Sequence, residues 1–459
     1  MYINLLILNV LTIRISQCLL LQNLCHSIFA VIPEIPQFPS PTGKRAFIRD
    51  RKLPFNKTIA TTLSVVNSGK NRGLSGKIDD FVSRANLNKL WPDATPFDRT
   101  ALSKARKKVD WREFEDILHK SYSVARNLWK QTPGDTWCGM SVFAIDGSAY
   151  TLPATESIRN EFDPHCGLQN QGKGHYPQCL VETAYDVLKY LPIARIVLPY
   201  NTSEREAAKK IIPCIPSGNL LLFDRGYPGF DFIHTLDKTY NGKFLIRCPV
   251  KNTFKEVIAF MESDKNDEVI TLMPTLTYRT NHPAENKAGI ESIIVRLIRL
   301  VSPDGTLSVL ITNMIDKQKF CPVAIKNLYS DRYRIEEYFR HEKCTIELEK
   351  FHSKDPNGVR QELLAVVIVS IIARLMVNIR TGLKQPQFKN AVITLALDAA
   401  LLAPTDPAVA VTYFNELLDR IARIKYYKPK KQRKPYLRIT KRNKNKWIAR
   451  RMNVLKCQP

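Results

Sequence analysis

Residues 220–227 read Leu220-Leu221-Leu222-Phe223-Asp224-Arg225-Gly226-Tyr227, four apolar residues followed by an acid and a glycine turn. A short apolar run stopped by a turn reads as a buried strand, and in open α/β sheets chemistry gathers just beyond the carboxyl ends of such strands. Phe143-Ala144-Ile145-Asp146-Gly147 has the same form earlier in the chain. One strand-end Asp is commonplace, because Asp also starts turns and caps helices; two of them raise the case for a metal or substrate site at one sheet edge. Working outward, apolar runs at 190–197, 244–248, 293–301 and 307–311 alternate with helical stretches such as 203–212, where Ser203 and Glu206 fit the first and last positions of a capping box. The alternation predicts an α/β domain on a mixed sheet. It breaks down over residues 251–305 into strand-like segments and polar loops, as an inserted β-rich subdomain would.

A third acid lies in the stretch 329–350, predicted to be helical. At about 100° per residue, Tyr329, Arg332, Glu336, Arg340 and Lys343 share an arc of roughly 80°. A ladder of i,i+4 ion pairs stabilises a helix by only a few tenths of a kcal/mol and does not explain three cations around one carboxylate. A metal-binding acid beside phosphate-binding side chains does. Three acids converging on Mg²⁺ assemble two-metal phosphodiester chemistry, and hard divalent ions prefer carboxylate oxygen to Cys or His. Arg332 and Arg340 suit bidentate binding of phosphate oxygens.

The 459 residues include 69 Lys or Arg against 43 Asp or Glu, a net charge of +26 that points to a polyanionic partner. At 44% hydrophobic, with 28 Pro and 18 Gly, the composition excludes collagen-like and wholly disordered chains. Residues 421–459 hold 15 Lys or Arg and no acid, with Tyr426, Tyr427, Tyr436 and Trp447 interleaved, the pattern of a segment that tracks a nucleic-acid backbone. Residues 44–130 read as several short helices with basic clusters at 45–52 and 104–108, either a DNA-binding arm or a solvated helical face. Ten cysteines without a CxxC pair do not form a disulfide scaffold. Asp163, His165, Cys166, His175 and Cys179 have the residue types of zinc ligands without the paired spacing, so buried thiols and loop histidines are the expected reading. Residues 1–32 are apolar, but Arg14 interrupts them and no basic region precedes them, which argues against a signal peptide or membrane anchor. A second apolar run, 363–377, is shorter than the ~20 residues a span needs and reads as a buried core helix.

Tyr329, Arg332, Glu336 and Lys343 match in identity and spacing the third-acid signature of the insertion-sequence-four family of DDE transposases, which this chain resembles. Supporting segments are Ile145-Asp146-Gly147-Ser148 with Leu152-Pro153, Tyr176-Pro177-Gln178, Ser203-Glu204-Arg205-Glu206, Asp224-Arg225-Gly226-Tyr227, and Phe47-Ile48-Arg49 to Pro54-Phe55; the similarity covers roughly residues 44–450. The resemblance implies a ribonuclease-H-like mixed sheet flanked by helices and interrupted by a β-rich insertion, with helical N-terminal and C-terminal regions. The expected divisions are an apolar, Pro-rich leader (1–43), a helical DNA-binding region (44–135), a catalytic core in two parts (136–250 and 306–382) around the insertion (251–305), and a C-terminal helical region with its basic tail (383–459).

Asp146, Asp224 and Glu336 would then be the catalytic, metal-binding triad, holding two Mg²⁺ or Mn²⁺ ions. Contacts to DNA are expected from Tyr329, Arg332, Arg340, Lys343 and Arg225, and in the tail from Lys430, Lys431, Arg433, Lys434, Lys441 and Arg442. The implied activity is cut-and-paste transposition: metal-dependent hydrolysis at element ends, a hairpin intermediate, and 3′-hydroxyl attack on a target. The partners would be double-stranded DNA, as terminal inverted repeats and target, and a second copy of the chain in a synaptic homodimer, in the cytoplasm at the nucleoid and away from membranes. Family members stack a flipped base on a tryptophan of the insertion. Here Trp91, Trp111, Trp129, Trp137 and Trp447 all lie outside it, and Tyr278 is the available substitute. The competing reading is a catalytically silent regulator or decayed copy that binds terminal repeats without cutting.

Overall fold

The computed structural model describes residues 32–379, apart from 49–51, 68–72, 90, 93, 130–135, 165–175, 290–291 and 302–304, and scattered positions between 392 and 423. Its centre is an eight-stranded sheet in the order β3-β2-β1-β4-β5-β8-β7-β6. The strands are β1 (Val142–Thr151), β2 (Gln178–Asp186), β3 (Leu191–Pro199), β4 (Leu220–Phe223), β5 (Lys243–Cys248), β6 (Asp267–Leu272), β7 (Ile293–Val301) and β8 (Leu307–Thr312). β1 is antiparallel to β2 and β2 to β3, whereas β1, β4 and β5 run parallel. This is the mixed, ribonuclease-H-like arrangement the resemblance implies. Pairing on the far side of β5 is antiparallel throughout, so β6 and β7, from the stretch 251–305, extend the same sheet.

Both faces of the sheet are covered, which explains why the central strands read as continuous apolar runs. Phe143, Ile145, Leu221 and Phe223 point into the larger core, and Val142, Ala144, Leu220 and Leu222 into the smaller one. The larger core contains α1 (Phe55–Asn67), α2 (Leu74–Leu87), α3 (Arg99–Arg106), α4 (Arg112–Trp129) and, through 363–377, the long helix 356–379. That helix is buried over residues 361–373, as its sequence predicts, and among the described residues no helix is long and apolar enough to cross a membrane. The N-terminal helices dock directly on it. Arg106 of α3 makes a 2.9 Å ion pair with buried Glu362, and Gln361 donates to the Arg106 and Val109 carbonyls. The Pro-rich segment is tied down too, since the Glu113 carboxylate accepts from the backbone N–H groups of Gln37 and Phe38.

The smaller core lies under the segment carrying the signature. It is α-helical over Pro322–Ser330 and Tyr333–His341, then π-helical over Glu342–Ile346. This differs from the single helical face expected for 329–350. Asp331, Arg332, Arg334 and Ile335 each donate to the carbonyl three residues back, tightening the chain at 331–332. The π turn widens it again before Glu347 ends it at φ +54°.

Candidate active site

The parallel register Val142↔Leu220, Phe143↔Leu221, Ala144↔Leu222 brings Asp146 and Asp224 level with each other, two residues past the last bonded pair. Strands in a sheet lie about 4.8 Å apart, so this alone makes the two aspartates neighbours. β1 itself does not stop at Asp146, contrary to the expectation of a strand end there. It runs to Thr151 against β2, and only its pairing with β4 ends. The aspartates therefore sit where two strands part, at the edge the sequence pointed to.

The signature segment reaches this edge from the smaller-core face. The Arg332 guanidinium stands between two acids, with Nη2 2.5 Å from Glu336 Oε1 and Nη1 3.7 Å from Asp146 Oδ2. Tyr329 is buried, and its hydroxyl donates to the Phe223 carbonyl (3.2 Å), fixing the residue before Asp224. Lys343 is engaged with β1, donating to Ser148 Oγ and the Ala149 carbonyl, both at 2.7 Å, above the Tyr150 ring. Arg340 is exposed and donates to the Tyr333 hydroxyl (2.6 Å), and Arg225 is exposed at the turn after β4. Lys430, Lys431, Arg433, Lys434, Lys441 and Arg442 lie outside the described residues, as do residues 1–31 and His165, Cys166 and His175.

Two further carboxylates belong to this neighbourhood and escaped the reading of the sequence. Glu182 of β2 pairs in register with Gly147, is fully buried, and accepts from the Tyr227 hydroxyl at 2.9 Å while its second oxygen has no hydrogen-bond partner among the described residues. Glu204 opens the helix Glu204–Ile211 and lies across the two glycine turns. A side chain at Gly147 would meet Glu204 Cγ at 3.1 Å, and one at Gly226 would meet Glu204 Oε2 at 3.3 Å. In the sequence Glu204 lies inside the Ser203–Glu206 capping box and within one of the segments that support the resemblance, without being marked as a site residue. Ser203 does cap the helix, accepting from the Glu206 N–H, while the Glu206 carboxylate pairs with Lys209. Arg205 holds the loop after β4 through the Gly226 carbonyl.

Burial pushes the Asp146 carboxyl up to about 7; Arg332 opposes the rise, and Asp224, Glu204 and Glu336 add to it. Burial also raises Glu182 far above the usual carboxylate range, and Glu204 rises through burial and Asp224. Among the described residues no three His, Cys, Asp or Glu side chains are gathered tightly enough to hold a metal ion. The donor chemistry nevertheless suits a hard divalent cation, because the groups are all carboxylates and one guanidinium leaves their charge unbalanced. Tyr278, the alternative base-stacking residue, is buried between Phe230 and His282, with its ring centroid 4.2 Å from that of His282. A groove of about 970 Å³ in the N-terminal region gathers Arg45, Lys52, Lys104, Lys107 and Lys108 beside Phe47 and Phe97, joining the two basic clusters of the sequence.

Comparison with known proteins agrees with this geometry. The family described as the transposase DDE domain matches residues 137–372. Transposase InsG for insertion sequence element IS4, from Escherichia coli K12, is 23% identical over 332 residues, covering 71% of this chain and 70% of the relative. Putative transposase InsZ of the same organism is 23% identical over 214 residues, 46% of this chain and 67% of the relative. A solved piggyBac transposase synaptic complex with hairpin DNA aligns at a TM-score of 0.42 and 11% identity, over 90% of this chain and 87% of that one. DDE transposase domains act on DNA and generally use divalent metal ions. The matched region spans more than half of the chain and contains Asp146, Asp224, Glu336 and the segment that joins them, and the chain therefore belongs to the DDE transposase family, of the kind found in insertion sequence IS4.

Proposed function

We propose that this transposase moves an insertion sequence by cut-and-paste chemistry, with Asp146, Asp224 and Glu336 as ligands for two Mg²⁺ or Mn²⁺ ions. The observation that carries the reading is the register that levels Asp146 with Asp224 while Arg332 links Asp146 to Glu336. When bound, the ions activate the attacking oxygen and stabilise the departing one at the scissile phosphate. The chain's own groups do the rest. Tyr329 holds the end of β4, and with it Asp224, through the Phe223 carbonyl. Arg332, beside Asp146 and Glu336, would offer its fork to the phosphate, and Arg340 stands exposed eight residues on to take a neighbouring one. Lys343 acts on DNA only indirectly in this arrangement, by holding β1.

The partners are terminal inverted repeats and target DNA. The basic groove around Lys104 and Arg45 and the tail segment 428–451 supply sequence-independent backbone contacts, and a homodimer pairs the two element ends, in the bacterial cytoplasm. The burial of Tyr278 argues against its stacking on a flipped base in this conformation, so the hairpin step rests on the family resemblance alone. The test is to incubate the protein and Mg²⁺ with DNA carrying the inverted repeats that flank its reading frame, together with a target plasmid. Cleaved ends and joined products are expected. Tight binding with neither product would favour the silent regulator.

A further inference from the structure

Beyond the acids themselves, a buried ion pair joins the sheet to the signature segment. Arg195 of β3 and Glu342 of the π-helical turn form an ion pair of 2.8 and 2.9 Å, and both side chains are wholly excluded from solvent. The Tyr150 hydroxyl donates to the same carboxylate. Arg195 also donates to Thr183 Oγ1 (3.3 Å) and to the Leu363 carbonyl of the long helix (3.1 Å), and lies against the Tyr338 ring. Replacing a buried ion pair by apolar groups of similar volume is often neutral or stabilising, so stability alone does not account for one here.

Its position does account for it. In the sheet register Arg195 pairs with Thr183 and Thr183 with Asp146, so the three form one cross-strand row. Alternate residues of β1 share a face, and three in succession grip the signature segment: Asp146 faces Arg332, Ser148 accepts from Lys343, and Tyr150 donates to Glu342. Glu342 and Lys343 fall in the π turn, a local widening of the kind that often occurs at functional sites because it re-aims side chains. Both residues bond to β1, Glu342 through the Tyr150 hydroxyl and Lys343 through Ser148 and the Ala149 carbonyl.

We infer that Arg195, Glu342, Tyr150 and Ser148 are positioning residues that lock β1 to the signature segment and so set the separation of Asp146 from Glu336 for metal binding. None of them touches DNA or metal in this role. The inference rests on the reading of Asp146 and Glu336 as ligands of a shared ion.

The test is calorimetric titration of the full-length, DNA-free protein with Mn²⁺, alongside thermal melting in chelator. The double variant Arg195→Met/Glu342→Leu removes the pair without leaving a lone buried charge. It should melt near the parent temperature yet bind Mn²⁺ on the order of tenfold more weakly, as loss of groups supporting metal ligands generally does. A folded double variant with unchanged Mn²⁺ affinity would overturn the inference. Should it not fold, Tyr150→Phe and Ser148→Ala each delete a single hydroxyl: severalfold weaker binding in both supports the positioning role, and unchanged binding in both overturns it. Asp146→Asn separates the two levels of argument. If it abolishes binding while the other variants leave it intact, only the positioning role fails; if it leaves binding intact, the ligand reading fails and the inference falls with it.

Discussion

Asp146 shows how surroundings decide what a residue can do. Its carboxyl, raised to about 7 chiefly by burial, is protonated in the native protein at pH values where the unfolded chain has already ionised. The native state then holds the extra proton, so this group's contribution to stability falls as pH rises from about 4 to about 7. Asp146→Asn, which cannot ionise, should accordingly raise the melting temperature of metal-free protein at pH 8 and leave it nearly unchanged at pH 4; an equal shift at both pH values would contradict the assignment. A divalent cation favours the ionised form, so the Mn²⁺ concentration for half-saturation should rise as pH is lowered from 8 to 6. Gly226 provides a second check. An added methyl there meets Asp224 Oδ1 at 3.1 Å, the oxygen that accepts from the Gly226 N–H, and Glu204 Oε2 at 3.3 Å, both ends of side chains rather than backbone. Gly226→Ala should therefore change stability by no more than about 0.5 kcal/mol while displacing Asp224, with a marked loss of cleavage. That Asp146 and Asp224 would meet at one sheet edge was legible in the sequence because each follows a strong local pattern, and Glu336 stood out through the cations spaced around it. Glu182 and Glu204 were not legible, because a buried strand position and a helix start gave no sign that the fold brings them beside the aspartates.

For the elements, legibility depended on how local the determinant was. The apolar runs 220–223 and 363–377 fell where expected because burial on all sides leaves a continuous hydrophobic signature. The tightening at 331–332 and the π turn were hidden, since ordinary helix-forming residues accept either geometry and tertiary contacts with β1 and β4 select it. The reach of β6 and β7 into the main sheet was equally hidden, because it depends on β8 pairing with the distant β5, Cys248 opposite Val309. Docking of the N-terminal helices makes a measurable claim. Burial alone would raise the Glu362 carboxyl, yet Arg106 and His352 hold it at about 2, so its stabilising contribution is present above the unfolded value and lost as pH falls towards 2. Arg106→Met removes the main partner of that buried charge, leaving it His352 and two backbone N–H groups, and should destabilise the protein by about 3 kcal/mol, whereas Arg106→Met/Glu362→Met should recover part of the loss. Chemical denaturation of the two variants checks this, and equal stability of single and double variants would refute it.

Across the whole molecule, acids and bases divide the work: an excess of +26 suits a polyanionic partner such as DNA, and the carboxylates gathered at one sheet edge form a local acidic site whose ionisation a divalent cation would favour. Removing residues 428–459 takes away cations and none of those carboxylates. DNA affinity should drop and the plot of log affinity against log salt should flatten, by close to one unit of slope for each phosphate the tail no longer neutralises; an unchanged slope would exclude the tail from binding. The central claim is that Asp146, Asp224 and Glu336 together perform Mg²⁺-dependent strand cleavage, and it is tested most directly by the cleavage rate of element-end DNA with Asp146→Asn, Asp224→Asn and Glu336→Gln. The expected result is that each variant binds that DNA with the parental affinity or better and cuts it at least about 10³-fold more slowly, the scale set by losing electrostatic stabilisation of the transition state. Near-parental cleavage by any one of the three would contradict the account.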